Sequence, residues 1–314
     1  MNHHELFAGV PGVQSIMQTF ARRVAGLGRL PTEAEAPRPA ARREVDVVVV
    51  GAGLAGMAVA VAAAEAGRSV EVLDDQLVLG GGLGALAPDA AAPFIAIRDR
   101  FYAFTEEKRI RVRRHTTVGA VYGRDVLVVD DRGAEVLEPS ALVLACGAHD
   151  AALAFEGNDI PGVLSARAAG WLLHRHGVVP GKNIVVVIAP GAGLFGDSYA
   201  RAVKAHAKVT RIEGEPLEVS GTLRVKKLRV KSADAGKELT LDADLVVLDA
   251  PRAPAFELAQ QAGATLEHRP NGFVVKRDAQ GRIAEGTWAV GEVAGVPFEA
   301  EAMRADAAKI ANAL

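Results

Sequence analysis

Two parallel-stranded βαβ units in a single α/β chain are predicted by three observations. A strand, a Gly-x-Gly-x-x-Gly turn, a helix, a second strand and an acid follow one another from Asp46 to Asp74. A longer-looped copy of that pattern runs from Ile184 to Glu213. Apolar strands alternate with helical stretches over most of the remaining length. Half of the 314 residues are hydrophobic, enough for two such units rather than one.

In the first unit Val47 to Val50 read as a strand buried on both faces, and Gly51-x-Gly53-x-x-Gly56 opens a helix with Leu54 and Ala55 in its first turn. The apolar stretch from Met57 to Ala66 continues the helix until Gly67 caps it. Each glycine has its own mechanical role. Gly51 permits the tight turn, Gly53 lets the backbone approach a pyrophosphate, and Gly56 allows close helix–strand packing. The helix N-terminus then presents unpaired N–H groups and a positive dipole end to phosphates. Strand Val70–Leu73 ends at Asp74, where a carboxylate can accept from ribose hydroxyls; Asp75 beside it is the alternative contact.

Ahead of this unit, Val13 to Leu27 carry an apolar stripe at helical spacing, and residues 31–44, with Pro31, Pro37 and Pro39, read as an extended linker. The stripe is expected either to fold back on its own domain or to dock a partner. After the unit come the Gly80-Gly81-Gly82 loop, a helix over Ile95–Glu107, and strands over Arg111–Thr117, Gly119–Tyr122, Val126–Asp130, Glu135–Leu137 and Ala141–Ala145. A helix over Ala166–His176 precedes the second unit: strand Asn183–Ile188, loop glycines Gly191, Gly193 and Gly196, helix Tyr199–Ala207, and strand Lys208–Ile212 ending at Glu213. Pro190 and two extra residues alter its turn, so it is read either as a working nucleotide site or as a structural relic. Strands over Thr222–Val230 and Asp244–Leu248, a helix near Phe256–Ala262, the segment Thr287–Gly295 and a terminal helix from Glu299 complete the chain.

A net charge of −2 gives no basic excess for nucleic acid or an anionic membrane. No apolar run is long enough to cross a bilayer, and the first residues lack a signal-peptide pattern, so a cytoplasmic protein is expected. The single cysteine, Cys146, excludes an internal disulfide and a redox-active pair within these residues. Redox chemistry would therefore fall to a bound organic cofactor. Cys146 follows an apolar strand and is read as a buried structural thiol. His174 and His176 fall on different faces of their helix, and no metal site is expected. His149 is read as an exposed or hydrogen-bonded histidine, with proton donation as the alternative; no catalytic acid or base is assigned.

Three segments resemble the α subunit of heterotetrameric sarcosine oxidase and its relatives, the opine oxidase, hydrogen cyanide synthase and dye-linked proline dehydrogenase subunits. They are Ala21–Gly28 (Ala-Arg-Arg-Val-Ala-Gly-Leu-Gly), Gly157–Val163 (Gly-Asn-Asp-Ile-Pro-Gly-Val) and His174–Gly181, and the likeness runs in order over roughly residues 20–310. The wider resemblance is to flavoproteins of glutathione-reductase type, which implies two Rossmann-type nucleotide-binding domains, the second inserted in the first. Residues 44–156 and 263–314 would form the first, 157–262 the second, and 1–43 a helix and linker. The resemblance implies FAD in the first site, with NAD or ADP as alternatives there and NAD(P) at the second. It adds Gly81, Gly82, Gly147, Gly291 and Glu292 to the first site's contacts. Two departures stand out: Gly147-Ala148-His149-Asp150-Ala151 lacks the family's Glu-Arg, and Gly291-Glu292 replaces its Gly-Asp.

The implied function is that of an FAD-dependent oxidoreductase, one subunit of an amine or amino-acid oxidase or dehydrogenase complex, working with a partner subunit on an amine such as sarcosine, an opine or proline. The alternatives are a non-catalytic NAD- or ADP-binding subunit of such a complex and a stand-alone NAD(P)H-dependent flavin reductase.

Overall fold

The computed structural model describes residues 12–26, 39–151, 153–234, 236–269 and 272–314. Helix α1 (Val13–Val24) lies within a unit of its own, residues 1–39. It places Ile16, Met17, Phe20 and Val24 at helical spacing and Arg22 and Arg23 in its last turn, where they complement the dipole. Leu27 and linker residues 31–38, expected from the sequence, lie outside the described residues.

Residues 40–314 form the second unit. Its chain begins with β1 (Ala41–Val50), α2 (Leu54–Glu65) and β2 (Val70–Leu73), followed by the short α3 (Pro88–Ala91) and α4 (Ile95–Glu106). Strands β3 (Ile110–Arg113), β4 (Thr117–Tyr122), β5 (Asp125–Asp130) and β6 (Gly133–Leu144) follow. After the two-residue β7 (Ala148–His149) come β8 (Val163–Ser165), α5 (Ala166–His176), β9 (Asn183–Ile188) and α6 (Leu194–Val203). Next are β10 (Lys208–Ser220), β11 (Lys227–Ser232), β12 (Glu238–Asp242), β13 (Leu245–Asp249), β14 (Ala253–Pro254) and α7 (Glu257–Gln261). The chain closes with β15 (Leu266–Arg269), β16 (Gly272–Val275), β17 (Arg282–Ala284), β18 (Thr287–Ala289) and α8 (Ala300–Ala311).

The first sheet has the order β17-β18-β6-β1-β2-β3, with β5 joining β6 and β4 joining β5. The strands from β18 to β3 are parallel neighbours, so both faces need cover. Helix α2 supplies it on one side: ten of its twelve residues are buried, as a helix apolar in all but its last residue requires. The second sheet has the order β12-β11-β10-β9-β13-β8, parallel from β10 to β8 and antiparallel at β11 and β12. The chain leaves the first sheet after β6 and returns after β13, and the two crossings pair with each other as β7 and β14. The second unit of the repeat is thus inserted in the first.

The structure corrects several expected bounds; the strand expected from Thr222, for one, starts at Lys227. The sequence extends the linker to residue 44, but β1 starts at Ala41 because residues 41–45 pair along β6 from Glu135 to Pro139. Glu135–Leu137 and Ala141–Ala145 are not separate strands: β6 runs through Pro139, which falls between the stretch paired with β5 and the stretch paired with β18, where a missing N–H breaks no ladder. The helix expected over Tyr199–Ala207 starts directly at the glycine loop, at Leu194, and stops at Val203; Phe195 and Tyr199 bury their rings in the core.

Gly56 sets how closely α2 approaches the sheet. A Cβ there would lie 1.9 Å from the carbonyl oxygen of Gly51, a backbone atom that cannot yield. Gly56→Ala should therefore cost about 1–3 kcal/mol through overpacking. A urea midpoint equal to that of the native chain would refute this close-packing account.

Candidate functional site

Where β1 hands over to α2, Gly51 turns with φ +102°, and a Cβ there would come within 2.4 Å of the Ala145 carbonyl oxygen. Gly53 differs: its φ is −71° and a Cβ would meet nothing within 4 Å, so its missing side chain faces open space. Gly80 donates its N–H to the Ala52 carbonyl, and Gly81 backs onto Gly53 with 3.2 Å between its would-be Cβ and Gly53 Cα. Two glycine loops thus lie against each other and expose backbone to a cavity of about 450 Å³, within the range of small-molecule sites.

Most of the residues singled out in the sequence meet at this cavity. Gly51, Gly53, Leu54 and Ala55 line it, as do Asp74 and Asp75, and so do Gly81, Gly82, Gly147 and Glu292. Gly56 and Gly291 are not part of its wall. Gly56 packs α2 on the sheet. Gly291, with φ +77°, leaves room for Ala55, whose Cβ would lie 2.5 Å from one at Gly291. Asp74 ties the site together: its Oδ2 accepts from Ala52 N at 2.6 Å and its Oδ1 from Gln76 N at 2.8 Å. Burial pushes this carboxyl up from its ordinary value, against the opposing pull of those two N–H groups. Thr116 N donates to the Asp74 carbonyl, and His115, at φ 49°, makes the turn that ends β3 at Arg113, short of the expected Thr117.

Sequence reasoning passed over Thr116, Thr117 and Val118 on the wall near Asp74, and Arg167, Trp171 and Phe298 elsewhere in it. Arg167 and Trp171 share one face of α5 at i, i+4 spacing, the only signal that could have marked them. Arg167 pairs with Asp150 at 2.9 Å and donates to the Ala148 carbonyl, with its guanidinium 5.4 Å from the Trp171 ring centroid. The indole Nε1 of Trp171 is buried and makes no hydrogen bond among the described residues. Cys146, half-buried in the same wall, has its thiol pushed up to about 12 by burial, which leaves it protonated and unreactive. His149 is exposed, 3.5 Å from Glu257. Among the described residues no cluster could hold a metal.

Glu292 also lines a second cavity, of about 680 Å³, with Gly191, Gly193, Arg252 and Arg269. Its Oε1 accepts from Arg252 Nε at 2.7 Å, and Arg252 lies over the rings of Phe195 and Phe298. Gly196 packs α6 against β9 and β13, and Glu213 stands outside the second cavity, paired with Arg211 at 2.7 Å. The turn that carries Glu292 is anchored by Asp306 of α8, which accepts from Gly291 N at 3.1 Å and pairs with Arg277 at 2.9 Å.

The family model described as pyridine nucleotide-disulphide oxidoreductase matches residues 45–222. The chain is 30% identical over 203 residues to the alpha subunit of sarcosine oxidase from Rhizobium meliloti (strain 1021), covering 57% of this chain and 20% of that protein. It is 32% identical over 160 residues to an opine oxidase subunit of Agrobacterium tumefaciens (strain Ach5), covering 45% and 31%. The match thus spans about a fifth of the sarcosine oxidase protein's length and a third of the opine oxidase protein's. L-proline dehydrogenase from P. horikoshii superposes with a TM-score of 0.72 at 21% identity, covering 88% of this chain and 56% of that one. T. acidophilum thioredoxin reductase does so with 0.63 at 20%, covering 87% and 98%. These likenesses bear out the two-domain fold and the resemblance to sarcosine and opine oxidase subunits.

Gly53→Val should keep the native fold, because its side chain enters open space, and should empty the first cavity of nucleotide; a folded variant with unchanged nucleotide content would refute the site. Asp306→Asn should cost about 1.5–3 kcal/mol by removing the charged partner of the half-buried Arg277. Burial by itself would raise the Asp306 carboxyl, but Arg277 and the Gly291 N–H hold it below its ordinary value. Its contribution is therefore complete above the unfolded-state value and lost as pH falls through the folded one. Denaturant midpoints of native and variant should converge in acid; a pH-independent gap would contradict the ion pair's role.

Proposed function

Because the chain belongs to the pyridine nucleotide-disulphide oxidoreductase family, we propose that it is an FAD-dependent oxidoreductase subunit of an amine or amino-acid oxidase or dehydrogenase assembly. One observation carries this reading: the two glycine loops, Asp74 and the α2 N-terminus face a single cavity shaped by missing side chains. The sarcosine and opine oxidase relatives are named as subunits, which supports a partner for this chain as well. Among the described residues no helix is long and apolar enough to cross a membrane.

In this reading the N–H groups of Leu54 and Ala55 at the start of α2 hold the diphosphate, with no Cβ at Gly53 to keep it away. Asp74 orients the adenine-side ribose while its own position is held by Ala52 and Gln76. Glu292, on the same wall, would accept from the hydroxyl chain beyond the diphosphate. Trp171 and Phe298 exclude water from the wall. Bound FAD would supply the two-electron acceptor, and this chain supplies its position and electrostatic surroundings. In this reading amine oxidation falls to a partner subunit and electron handling to this chain.

The engagement of Glu292 by Arg252 favours the second reading, in which the chain holds NAD or ADP for assembly rather than for catalysis. The visible spectrum of the purified protein, with mass analysis of the nucleotide released on denaturation, separates the two. A flavin spectrum with released FAD is expected, and a colourless protein releasing only NAD or ADP would overturn the flavin reading. In either case Asp74→Ala should weaken nucleotide binding at least about tenfold, the loss of one hydrogen bond to a charged group. Unchanged calorimetric affinity would remove Asp74 from the site.

A further inference from the structure

The two glycine loops of the repeat have different neighbours at the same place. At Gly56 the missing Cβ of the helix's first turn faces Ala145, at 3.2 Å from its Cβ. At Gly196 the corresponding direction leads to the Ile188 side chain, 2.3 Å from its Cδ1, and to Asp249, the last residue of β13, with a would-be Cβ 2.8 Å from the Asp249 Cβ and 3.1 Å from its Oδ2. Asp249 is only 4% exposed, and its Oδ2 accepts from both Gly193 N (3.1 Å) and Gly196 N (2.7 Å). A carboxylate of the chain itself therefore sits on the N-terminal donors of α6, where a nucleotide's phosphates would otherwise be drawn.

The acids next to the loop reinforce this, against the cations Arg252 and Arg269 on the cavity's wall, of which Arg252 is already paired with Glu292. Asp197 lies in the first turn of α6, and its Oδ2 is 3.6 Å from a would-be Cβ of Gly193. Arg211 is shared between Asp197 and Glu213 at 2.7 Å each, so the acid expected to receive a ribose already holds a guanidinium. A pyrophosphate arriving here would meet a buried negative charge that solvent screens poorly and would have to displace two hydrogen bonds. The residues present do not fit a dinucleotide diphosphate at this loop.

We infer that Asp249 is an internal occupant of the second loop's anion position and is the residue that keeps this loop from taking up NAD(P). The inference is independent of which nucleotide fills the first cavity.

Calorimetric titration of NADH and NADPH into the intact chain, carrying whatever nucleotide it purifies with, provides the test. Asp249→Asn keeps the side chain's size while removing its charge, and Asp249→Ala frees both N–H groups. Native protein should bind at least about tenfold more weakly than a folded variant of either kind, the equivalent of one charged hydrogen bond. The gain should persist when Gly53→Val is added, which separates the second loop from the first cavity. Native affinity equal to that of both variants, or a gain that disappears in the Gly53→Val background, would overturn the inference. Thermal unfolding of each variant establishes that it is folded before it is compared.

Discussion

The close approach of three backbone segments, at Gly51, Gly56 and Ala145, is the constraint on which the first cavity depends. The would-be Cβ atoms of Gly51 and Gly56 both fall on backbone oxygens, so neither residue can be anything larger without moving a strand. That contact lowers α2 onto the sheet and brings its N-terminus to the cavity. It also puts Gly53, the one glycine of the three with open space before it, at the surface where a ligand would lie. Packing and binding are thus divided among glycines that look equivalent in a motif.

Around this contact the acids do different work according to their partners. Asp74 accepts from two backbone N–H groups and shapes the loop it belongs to. Asp306, buried beside Arg277, holds the Gly291 turn and so the position of Glu292. Glu292 stands between the two cavities, tied to Arg252, whose guanidinium rests on Phe195 and Phe298. Asp249 takes the donors of the second loop. Each carboxylate is buried or half-buried and each is compensated, as low-dielectric surroundings demand.

The fold class was legible along the chain, because strand runs such as Val47–Val50 and Ile184–Ile188, followed by glycine turns and helices, carry local signals of period and turn chemistry. Ten of the residues it singles out, Gly51, Gly53 and Asp74 among them, lie on the first cavity's wall, because a glycine turn and an acid that follow a strand are local signals. Which residues join them from a distance emerges with the packed fold. Arg167 and Trp171 come from a helix of the inserted unit, and Asp249 reaches Gly196 from the far end of β13, so no local pattern announces either contact. The continuity of β6 through Pro139 was hidden for the same reason: a proline is tolerated there because of which strands stop beside it, a fact of neighbours rather than of the residue. Local sequence encodes backbone geometry, whereas the charge that occupies a loop is supplied by whatever the fold brings against it.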